Sequence, residues 1–409
     1  MAEQHGKALV PQIRFAGFTD PWEQRKLSEL VEIERGGSPR PIERYITDDP
    51  CGLNWVKIGD APELGRYITQ TTEKIKPEGL AKTRQVYPGD LVLSNSMSFG
   101  RPYIMAIKGC IHDGWLLIRD AQKHFDPIFL CHMLGAPQML NQYRMFAAGS
   151  TVNNLNKELV GKAIVSLPSK DEQREIGIVL DRLDSLITLH QRKYDKLCVL
   201  KKSMLDKMFP KGGSLYPEIR FAGFTDPWEQ RKLGELYQKN DERNTDGLGS
   251  ERTLSVASMT FNSTGNGADE SSLPNYKRLR LGDIAFEGHT NKEFAYGRFV
   301  LNDAGNGIMS PRFTCLRPIV EQEYSFWKYF IHSEKVMRPI LVNSTKSGTM
   351  MNELVVEDFL KQEILVPSLP EQRRIGAFFD RLDSLITLHQ RKLELLRNIK
   401  KSMLDKMFV

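Results

Sequence analysis

The stretch that decides the fold is IRFAGFTDPWEQRKLSEL at residues 13–30, because it returns as IRFAGFTDPWEQRKLGEL at residues 219–236. The two copies differ only where Ser28 of the first is matched by Gly234 of the second. Identity over this length is too high to arise by chance. The chain therefore consists of two tandem halves, each of them one unit of an internal repeat.

Two shorter blocks near the end of each half support the duplication. They are DRLDSLITLHQRK at residues 181–193 and 380–392, and KKSMLDKMF at residues 201–209 and 400–408. Between the shared blocks the halves diverge, and residues 31–148 and 237–347 share little beyond one Gly-Asp and one Gly-Arg step. A duplicated domain that had drifted uniformly would not keep some blocks identical. The pattern favours one scaffold that carries two versions of the same task.

Length and composition set the class of protein. With 409 residues the chain is expected to hold two or three domains. Its formal net charge of +6, from 57 Lys+Arg against 51 Asp+Glu, is compatible with a polyanionic partner. Five widely spaced cysteines without a CxxC pair argue against a disulfide framework and a zinc cluster, so we expect a cytoplasmic location. Because no signal-peptide core and no apolar run near the ~20 residues of a membrane span is found, we expect no membrane partner.

Each half ends in a segment that predicts one long helix, since residues 171–209 and 370–408 contain no proline after the first turn. Both segments open with the spacing Ser-x-x-Glu, as Ser169 with Glu172 and again one repeat later. In a capping box, the serine hydroxyl and the glutamate carboxylate satisfy backbone donors of the first turn. We therefore expect both helices to begin with this motif.

The spacing of apolar residues in these segments predicts a coiled-coil seam, because they recur in alternating steps of four and three residues. The predicted helix–helix seam comprises Ile176, Leu180, Leu183, Ile187, Tyr194, Leu197, Ile375, Phe379, Leu382, Ile386, Leu393 and Leu396. Polar residues interrupt it at His190, Lys201, His389 and Lys400, which we interpret as register devices rather than ligands. An isolated heptad helix would equally suit a spacer or a dimerisation rod, but here the two helices can satisfy each other.

The short linker fixes the direction of the second helix. Residues 210–218 can span at most ~30 Å, which keeps the second variable segment near the end of the first helix. The second helix must then run back, antiparallel to the first, over about 58 Å at 1.5 Å per residue. This arrangement would place residues 13–30 at the end of the second helix, as residues 219–236 lie at the end of the first.

The predicted fold is of the α+β class. It has two variable domains separated by two long antiparallel coiled-coil helices, in a pseudo-twofold, circular arrangement. The predicted segments are a tail with the start of the repeat block (1–18), the first variable domain (19–168), the central helix (169–209), the linker (210–218), the second variable domain (219–367) and the C-terminal helix (368–409).

The sequence lacks the motifs of the enzymes that act on DNA. No [DE]-x-K triplet of a metal-dependent nuclease occurs, and no Pro-Pro dipeptide exists that could form the loop of an adenine methyltransferase. A Walker A loop for ATP is also missing. His112-Asp113 has no serine partner that spacing can identify. We therefore predict a protein that is not an enzyme, with no catalytic residue, no metal site and no cofactor of its own.

At this point the residues resemble a known family. The order of variable domain, helix, variable domain and helix is similar to that of the specificity subunits of type I restriction-modification systems. The resemblance rests on FTDPWEQRKL before each variable domain and on the leucine-proline entries into the helices, residues 167–173 and 369–372. It covers essentially the whole chain, except for a tail at residues 1–12 that lies outside the repeat.

The resemblance implies a function and a set of partners. Each variable domain would be a mixed α/β target-recognition domain that reads one half of a split, asymmetric site in double-stranded DNA. The helices would act as a ruler for the spacer between the halves. Two modification subunits would methylate adenine with S-adenosylmethionine. Two restriction subunits would translocate and cleave DNA with ATP and Mg²⁺. These cofactors would belong to the partner subunits.

We expect loops rich in Gly, Ser, Asn and Arg to approach DNA, because small residues let the backbone reach phosphates and Arg or Asn can read base edges. In the first domain the candidates are Ser38, Arg40, Ser94, Asn95, Ser96, Arg101, Ser150, Thr151, Asn153 and Asn154. In the second domain they are His289, Thr290, Asn291, Lys292, Arg298, Arg312, Lys346, Ser347 and Thr349. The apolar runs at residues 91–94 and 364–367 are predicted to be core strands.

Two other functions fit parts of the sequence. One is a DNA-binding regulator that has no restriction partners. The other is an enzyme with a site that no known motif reveals. Co-purification with partner subunits would identify the first, and incubation of the pure chain with DNA and cofactors would expose the second.

Overall fold

The computed structural model describes residues 10–95, 99–147, 155–262, 267, 269–348 and 351–408. The chain forms two compact units, residues 1–193 with 389–409 and residues 194–388. Each unit therefore contains one variable domain and parts of both long helices. Several candidate DNA-contacting residues lie outside the described residues, namely Ser96, Ser150, Thr151, Asn153, Asn154 and Thr349.

The first unit is built mainly of two five-stranded sheets. Its strands are β1 (Glu23–Lys26), β2 (Glu32–Arg35), β3 (Ile46–Thr47), β4 (Leu53–Val56), β5 (Tyr67–Ile68), β6 (Glu73–Ile75), β7 (Arg84–Val86), β8 (Leu91–Ser94), β9 (Pro102–Met105), β10 (Gly109–Ile111), β11 (Trp115–Arg119) and β12 (Ile164–Leu167). Its helices are α1 (Pro127–Leu134), α2 (Pro137–Ala147), α3 (Lys157–Gly161) and the first part of α4 (Lys170–Lys207). The sheets have the orders β2-β11-β8-β9-β5 and β3-β6-β4-β10-β7, and β1 pairs with β12.

The second unit repeats this scheme with shorter sheets. Its strands are β13 (Glu229–Lys232), β14 (Tyr237–Lys239), β15 (Leu254–Ser255), β16 (Thr260–Phe261), β17 (Lys277–Leu279), β18 (Ile284–Glu287), β19 (Arg298–Leu301), β20 (Gly307–Met309), β21 (Thr314–Pro318), β22 (Thr345–Lys346), β23 (Glu353–Leu354) and β24 (Glu363–Val366). Its helices are α5 (Tyr324–Phe330), α6 (Glu334–Val342), α7 (Val356–Lys361) and the first part of α8 (Leu369–Met407). The central sheet has the order β14-β21-β18-β19, and β13 pairs with β24.

Each variable domain contains its own copy of the same central sheet, because the order β2-β11-β8-β9 corresponds strand for strand to β14-β21-β18-β19. All four residues of β8 and of β18 are buried, as expected for a strand with neighbours on both edges. The predicted core strands are therefore confirmed, since residues 91–94 form β8 and residues 364–366 belong to β24. Mixed α/β domains that end in long helices confirm the predicted fold class.

The shared Gly-Asp step explains how the chain enters the central strand. Gly89 and Gly282 have φ angles of 95° and 87°, a backbone conformation that favours glycine. In both domains the aspartate that follows receives a backbone N–H three residues upstream and pairs with an arginine of the neighbouring strand. Arg119 lies 2.9 Å from Asp90, and Arg317 lies 2.9 Å from Asp283. The Gly-Asp step therefore forms the turn before the central strand and links that strand to its neighbour through the ion pair.

A clasp of two strands closes each variable domain. The WEQRKL block supplies β1, which pairs antiparallel with β12, the strand that leads into α4. In the second unit β13 pairs with β24 in the same register, and α8 follows. The first and last strands of each variable domain are therefore hydrogen-bonded neighbours.

The repeated block also contacts the end of a long helix. The N–H of Ile13 donates to the carbonyl of Lys406 (3.1 Å), and the N–H of Ile219 donates to the carbonyl of Lys207 (3.0 Å). The predicted placement of residues 13–30 at the end of the second helix, and of residues 219–236 at the end of the first, is confirmed.

The beginnings of the long helices differ from the predicted capping box. The hydroxyl of Ser169 accepts a hydrogen bond from the N–H of Glu172 (3.4 Å), as expected. The Glu172 carboxylate, however, does not return to the helix backbone. It accepts a bidentate hydrogen bond from Arg14, at 2.7 and 2.8 Å, and a third from the indole of Trp22 at 3.2 Å. The Glu of this motif therefore binds the repeated block rather than capping its own helix.

The long helices pack against each other within each unit. In the first unit Asp184 contacts Lys400, and Gln191 contacts Arg397, so residue numbers rise on one helix as they fall on the other. This is antiparallel packing. All predicted seam residues are buried or half-buried. The seam residues nearest each helix start also belong to the core of the adjacent variable domain; they are Ile176, Leu180 and Leu183 in the first unit and Ile375, Phe379 and Leu382 in the second.

The two histidines of the seam meet each other. The Nδ1 atoms of His190 and His389 lie 2.8 Å apart, a distance that requires one proton shared between two nitrogens. Burial lowers the pKa of both rings, and the charges of Lys193 and Lys392 lower it further. The pair is therefore stable only when at least one ring is neutral.

We predict that this pair makes the protein less stable in mild acid. Because the folded-state pKa values lie below the unfolded value of about 6.5, the unfolded chain binds protons first, and stability is lost as pH falls through this range. Urea unfolding at about pH 7.5, 6.5 and 5.5 should show a steeper decline for the wild type than for the double variant His190→Gln, His389→Gln. Parallel declines would contradict the assignment.

Candidate nucleic-acid interface

The candidate interface in each domain lies where the central strand ends. After β8 the carbonyl of Asn95 accepts a hydrogen bond from the N–H of Leu155 (3.0 Å). After β18 the carbonyl of Gly288 accepts one from the N–H of Asn352 (2.9 Å). In each domain this bond joins the end of the central strand to a residue that is distant in the sequence. Asn95 and the residues that follow Gly288 are among those that the sequence predicts as DNA contacts.

In the first domain the predicted residues gather around Asp113. Ser38 donates to its carboxylate (2.8 Å), and Arg40 lies 3.6 Å away with a largely exposed guanidinium group. The side-chain amide of Asn95 donates to the Asp113 carbonyl (2.8 Å). Burial opposes ionisation of this carboxyl, but Ser38, His112 and Arg40 together lower the pKa of Asp113. Asp113 is therefore an anchor that holds Ser38 and Arg40 at the surface.

The group does not form a catalytic triad. A serine nucleophile needs a histidine that accepts its proton. Here Ser38 donates directly to Asp113, and the Nδ1 atom of His112 accepts the N–H of Gly114 at 2.6 Å. The Ser-Asp-His grouping thus organises a turn.

Three candidates of the first domain use their polar groups within the domain, and their contact with DNA stays a prediction. Ser94 and Asn95 are 0% and 2% exposed. The guanidinium group of Arg101 donates to the carbonyls of Pro62 (3.3 Å) and Glu63 (2.5 Å). These residues position the loops, and among the described candidates of this domain Arg40 is the most exposed.

In the second domain the anchor is Glu287, the last residue of β18, whereas Asp113 of the first domain lies in the turn before β11. Arg298 donates to its carboxylate at 2.9 Å, and His289 lies 2.6 Å away on the other oxygen. Arg298 also stacks on the ring of Phe294, 5.1 Å from its centroid. Arg298, like Arg101, is therefore bound within its domain, whereas the ring of His289 is half-exposed.

The remaining candidates of the second domain are exposed. Asn291 uses its side-chain oxygen to accept the N–H groups of Glu293 and Phe294, which shapes the loop after β18. The exposed candidates are Thr290, Asn291, Lys292, Arg312, Lys346 and Ser347. The hydrogen bond between Gly288 and Asn352 brings residues 289–292 beside the β22–β23 hairpin, which carries Lys346. The contact of any candidate with DNA stays a prediction.

No sequence pattern predicts the two anchors, Asp113 and Glu287. Asp113 and Ser38 are 75 residues apart, and no spacing rule relates them. Glu287 is only two residues from His289, but a carboxylate at the end of a buried strand is not a recognised motif. Elsewhere, in the parts of the chain that the structure describes, no three His, Cys, Asp or Glu side chains are grouped to hold a metal ion. Nor does any helix in those parts have the length and hydrophobicity to cross a membrane.

Two unlike sets of polar side chains, mounted at the same strand end of a repeated α/β frame, define a duplicated ligand-recognition protein. The family described as "Type I restriction modification DNA specificity domain" matches residues 19–198 and again residues 225–398. The chain belongs to this family, as the sequence resemblance predicted.

Individual relatives agree with the family. The chain is 22% identical over 420 residues to the type I restriction enzyme MjaVIII specificity subunit of Methanocaldococcus jannaschii, covering 94% of this chain and 92% of that protein. A second protein of that organism, assigned by name as the MjaX specificity subunit, is 26% identical over 235 residues, and the match spans only about half of each protein (53% and 52%).

Solved structures share the fold. The S subunit of a type I restriction-modification system from M. genitalium superposes with a TM-score of 0.59 at 13% identity, over 98% of this chain and 99% of that one. A chain from a structural study of complex assembly in a type I system gives a TM-score of 0.50 at 16% identity, over 95% and 98% of the two chains.

We predict that Arg298 and Arg312 differ in what they contribute to stability. Arg298→Met leaves the buried Glu287 without its main partner and should lower the free energy of unfolding by about 2 kcal/mol. Arg312→Met removes an exposed side chain and should change it by less than about 0.5 kcal/mol. Urea unfolding of the two variants measures both values. Equal losses would show that Arg298 is not a structural anchor.

Proposed function

We propose that this chain is the DNA-reading subunit of a type I restriction-modification complex and that each variable domain reads one half of an asymmetric, bipartite DNA site. The observation that carries the proposal is the repeated frame with different polar residues at the same strand end. A frame kept identical around divergent loops is what two readers of different sequences require. The chain itself performs no chemical step in this proposal.

The side chains at the two strand ends support different readings. Arginine and lysine contact guanine and phosphates, whereas asparagine, threonine and serine can hydrogen-bond to other base edges. The first domain presents Ser38 and Arg40 on its Asp113 anchor. The second presents His289 on Glu287, beside the exposed Thr290 and Lys292. Unlike donors and acceptors at the same edge of the central sheet predict unlike half-sites.

The helices suit the role of a ruler for the spacer. They contain 38 and 39 residues, so each is about 57 Å long at 1.5 Å per residue. Neither has a proline beyond its first turn that would kink it. The antiparallel contacts within each unit make bending costly. We propose that this length sets the number of unread base pairs between the half-sites.

A second apolar stripe on the helices supports docking of partner subunits. It lies beside the seam and is exposed to solvent in this chain. Its members on α8 are Leu385, Leu388, Leu395 and Ile399, and those on α4 include Leu186 and Leu189. The members on α8 follow one another in steps of three, seven and four residues, which keep them on one face of the helix. Exposed leucines repeated on one helical face are typical of a protein interface. We propose that it binds two modification subunits, which use S-adenosylmethionine, and through them two restriction subunits, which use ATP and Mg²⁺.

We predict a split methylation motif. Co-expression of this chain with a candidate modification subunit of its host, followed by single-molecule sequencing, should reveal methylated adenines in two half-sites separated by a fixed gap. Replacing residues 19–168 with the variable domain of another family member should change one half-site and leave the other. A stable complex that methylates no motif would instead favour a DNA-binding regulator without restriction partners.

We also predict that charge on the apolar stripe weakens partner binding. Leu388→Glu combined with Leu395→Glu places carboxylates in a desolvated interface and should raise the dissociation constant for the modification subunit about tenfold or more. Leu281→Glu is the matched control, because this leucine is 48% exposed but lies in the second variable domain, compared with 46% and 59% for the helix leucines. Calorimetric titration measures the affinities. Equal affinities for the two variants would show that the apolar stripe is not the binding site for the modification subunit.

A further inference from the structure

The helix block that is identical in the two halves carries two carboxylates, and each variable domain contacts the copy on the helix that follows it. They are Asp181 and Asp184 in the first copy and Asp380 and Asp383 in the second, and we call each set the helix carboxylate pair. Residues three apart on a helix lie on the same face. Each pair therefore offers two negative charges to whatever packs on that face of the helix.

In the first unit the partner is Arg66, which precedes β5 in the variable domain. Its side chain is 5% exposed, and its guanidinium group pairs with Asp184 and lies 3.5 Å from Asp181. Lys400 of the antiparallel helix reaches Asp184 from the other side at 2.5 Å. A buried arginine that lost these carboxylates would be an uncompensated buried charge, which costs several kcal/mol.

In the second unit Tyr329 contacts the helix carboxylate pair in place of an arginine. The hydroxyl of Tyr329, on α5, donates to Asp383 at 2.7 Å and contacts Asp380 at 3.0 Å. Its neighbour Lys328 lies 2.7 Å from Asp380. Lys201 of the antiparallel helix reaches Asp383 at 2.5 Å, as Lys400 reaches Asp184 in the first unit.

Arg66 and Tyr329 do not occupy equivalent positions in the two domains, so duplication of one ancestral contact does not explain them. Asp126 and Glu323 begin the corresponding helices, because the N–H of each donates to the glutamine that follows the helix glutamate. Counting six residues onward from each places His132 where the second domain has Tyr329. Burial, with the charges of Arg66 and Lys400, lowers the pKa of His132 to about 2, so it stays neutral. The first domain therefore uses a residue from another element to supply the donor.

We propose that the helix carboxylate pair is the site that orients each variable domain on its helix, and that Arg66 and Tyr329 are positioning residues for DNA recognition. Divergent domains that bring unlike donors to the same two carboxylates satisfy a requirement of the scaffold. A rotation of the domain about this contact would move its DNA-reading loops along the duplex, where base pairs are about 3.4 Å apart. This inference rests on the proposed function, because it concerns the spacing of the half-sites.

The inference implies a rule for exchanging domains. A variable domain that replaces residues 19–168 must bring a cation or a hydroxyl donor to Asp181 and Asp184, from whichever element can reach them. A domain that lacks such a donor would still fold and bind its half-site. It would not hold that half-site at a fixed distance from the other.

The test compares spacer discrimination in the assembled complex. Each variant is bound to the modification subunit and given DNA with the native spacer or with one base pair more or fewer. Arg66→Met should lower the ratio of methylation rates between native and altered spacers about tenfold, which corresponds to about 1.4 kcal/mol of lost discrimination. Arg66→Lys, which keeps a cation, should restore most of the ratio. Tyr329→Phe tests the second domain by removal of one hydroxyl and serves if Arg66→Met fails to fold.

The control is Arg119→Met, which breaks an ion pair with Asp90 inside the first domain, at 2.9 Å, without touching the helix. It should lower stability but leave the spacer ratio unchanged. Arg66→Met or Tyr329→Phe with the wild-type ratio would overturn the inference. Loss of the ratio in Arg119→Met as well would also overturn it, because spacing would then depend on stability alone.

A measurement without DNA separates this inference from the proposed function. Spin labels at Tyr87→Cys and Lys193→Cys report the distance between the first domain and its helix, in the full complex with Cys51 and Cys198 replaced by serine. The distance distribution should be narrow in this background and broaden when Arg66→Met is added. An unchanged width would refute the orienting role. If broadening occurs while the wild-type complex recognises no split motif, the proposed function fails and the orienting role stands.

Discussion

The rest of the structure depends on a buried ion pair between the repeated block and the start of each long helix. Arg14 binds Glu172 in bidentate fashion, and Arg220 binds Glu371 in the same way at 2.6 and 2.7 Å. Both glutamates are only 1% exposed, so neither charge can be left unpaired without a large cost. The pair fixes where the chain enters a variable domain relative to where the helix leaves it.

Around this constraint the protein separates what must be constant from what can vary. The next residue on each helix, Gln173 or Gln372, hydrogen-bonds the backbone that begins α1 or α5. The central sheet is then fixed by the Gly-Asp turn and its arginine. Beyond these points the domains differ, and the sheet that has five strands in the first domain, β3-β6-β4-β10-β7, is matched in the second by the pair β17-β20. Stability is therefore concentrated in the frame, while the polar residues at the strand ends are left free to change.

Local patterns made much of this predictable. The repeats, the long helices, β8 and β24 follow from identity, periodicity and apolar runs. The sites did not follow, because their contacts join distant positions: Arg66 and Asp184 are 118 residues apart, and Arg14 and Glu172 are 158 apart. One sequence carries no record of such pairings. The same limit applies to Ser94 and Arg101, since composition cannot distinguish a residue that reads a ligand from one whose polar groups are used within the fold.

The strand clasp has a consequence for how such proteins can change. Because β1 and β12 are neighbours, as are β13 and β24, each variable domain leaves the frame within one strand's width of where it entered. A variable domain is thus an insertion whose two ends lie next to each other on the frame. Exchange of a variable domain leaves the path of the surrounding chain unchanged, so the protein can acquire a domain with different polar residues in one step without redesign of its scaffold.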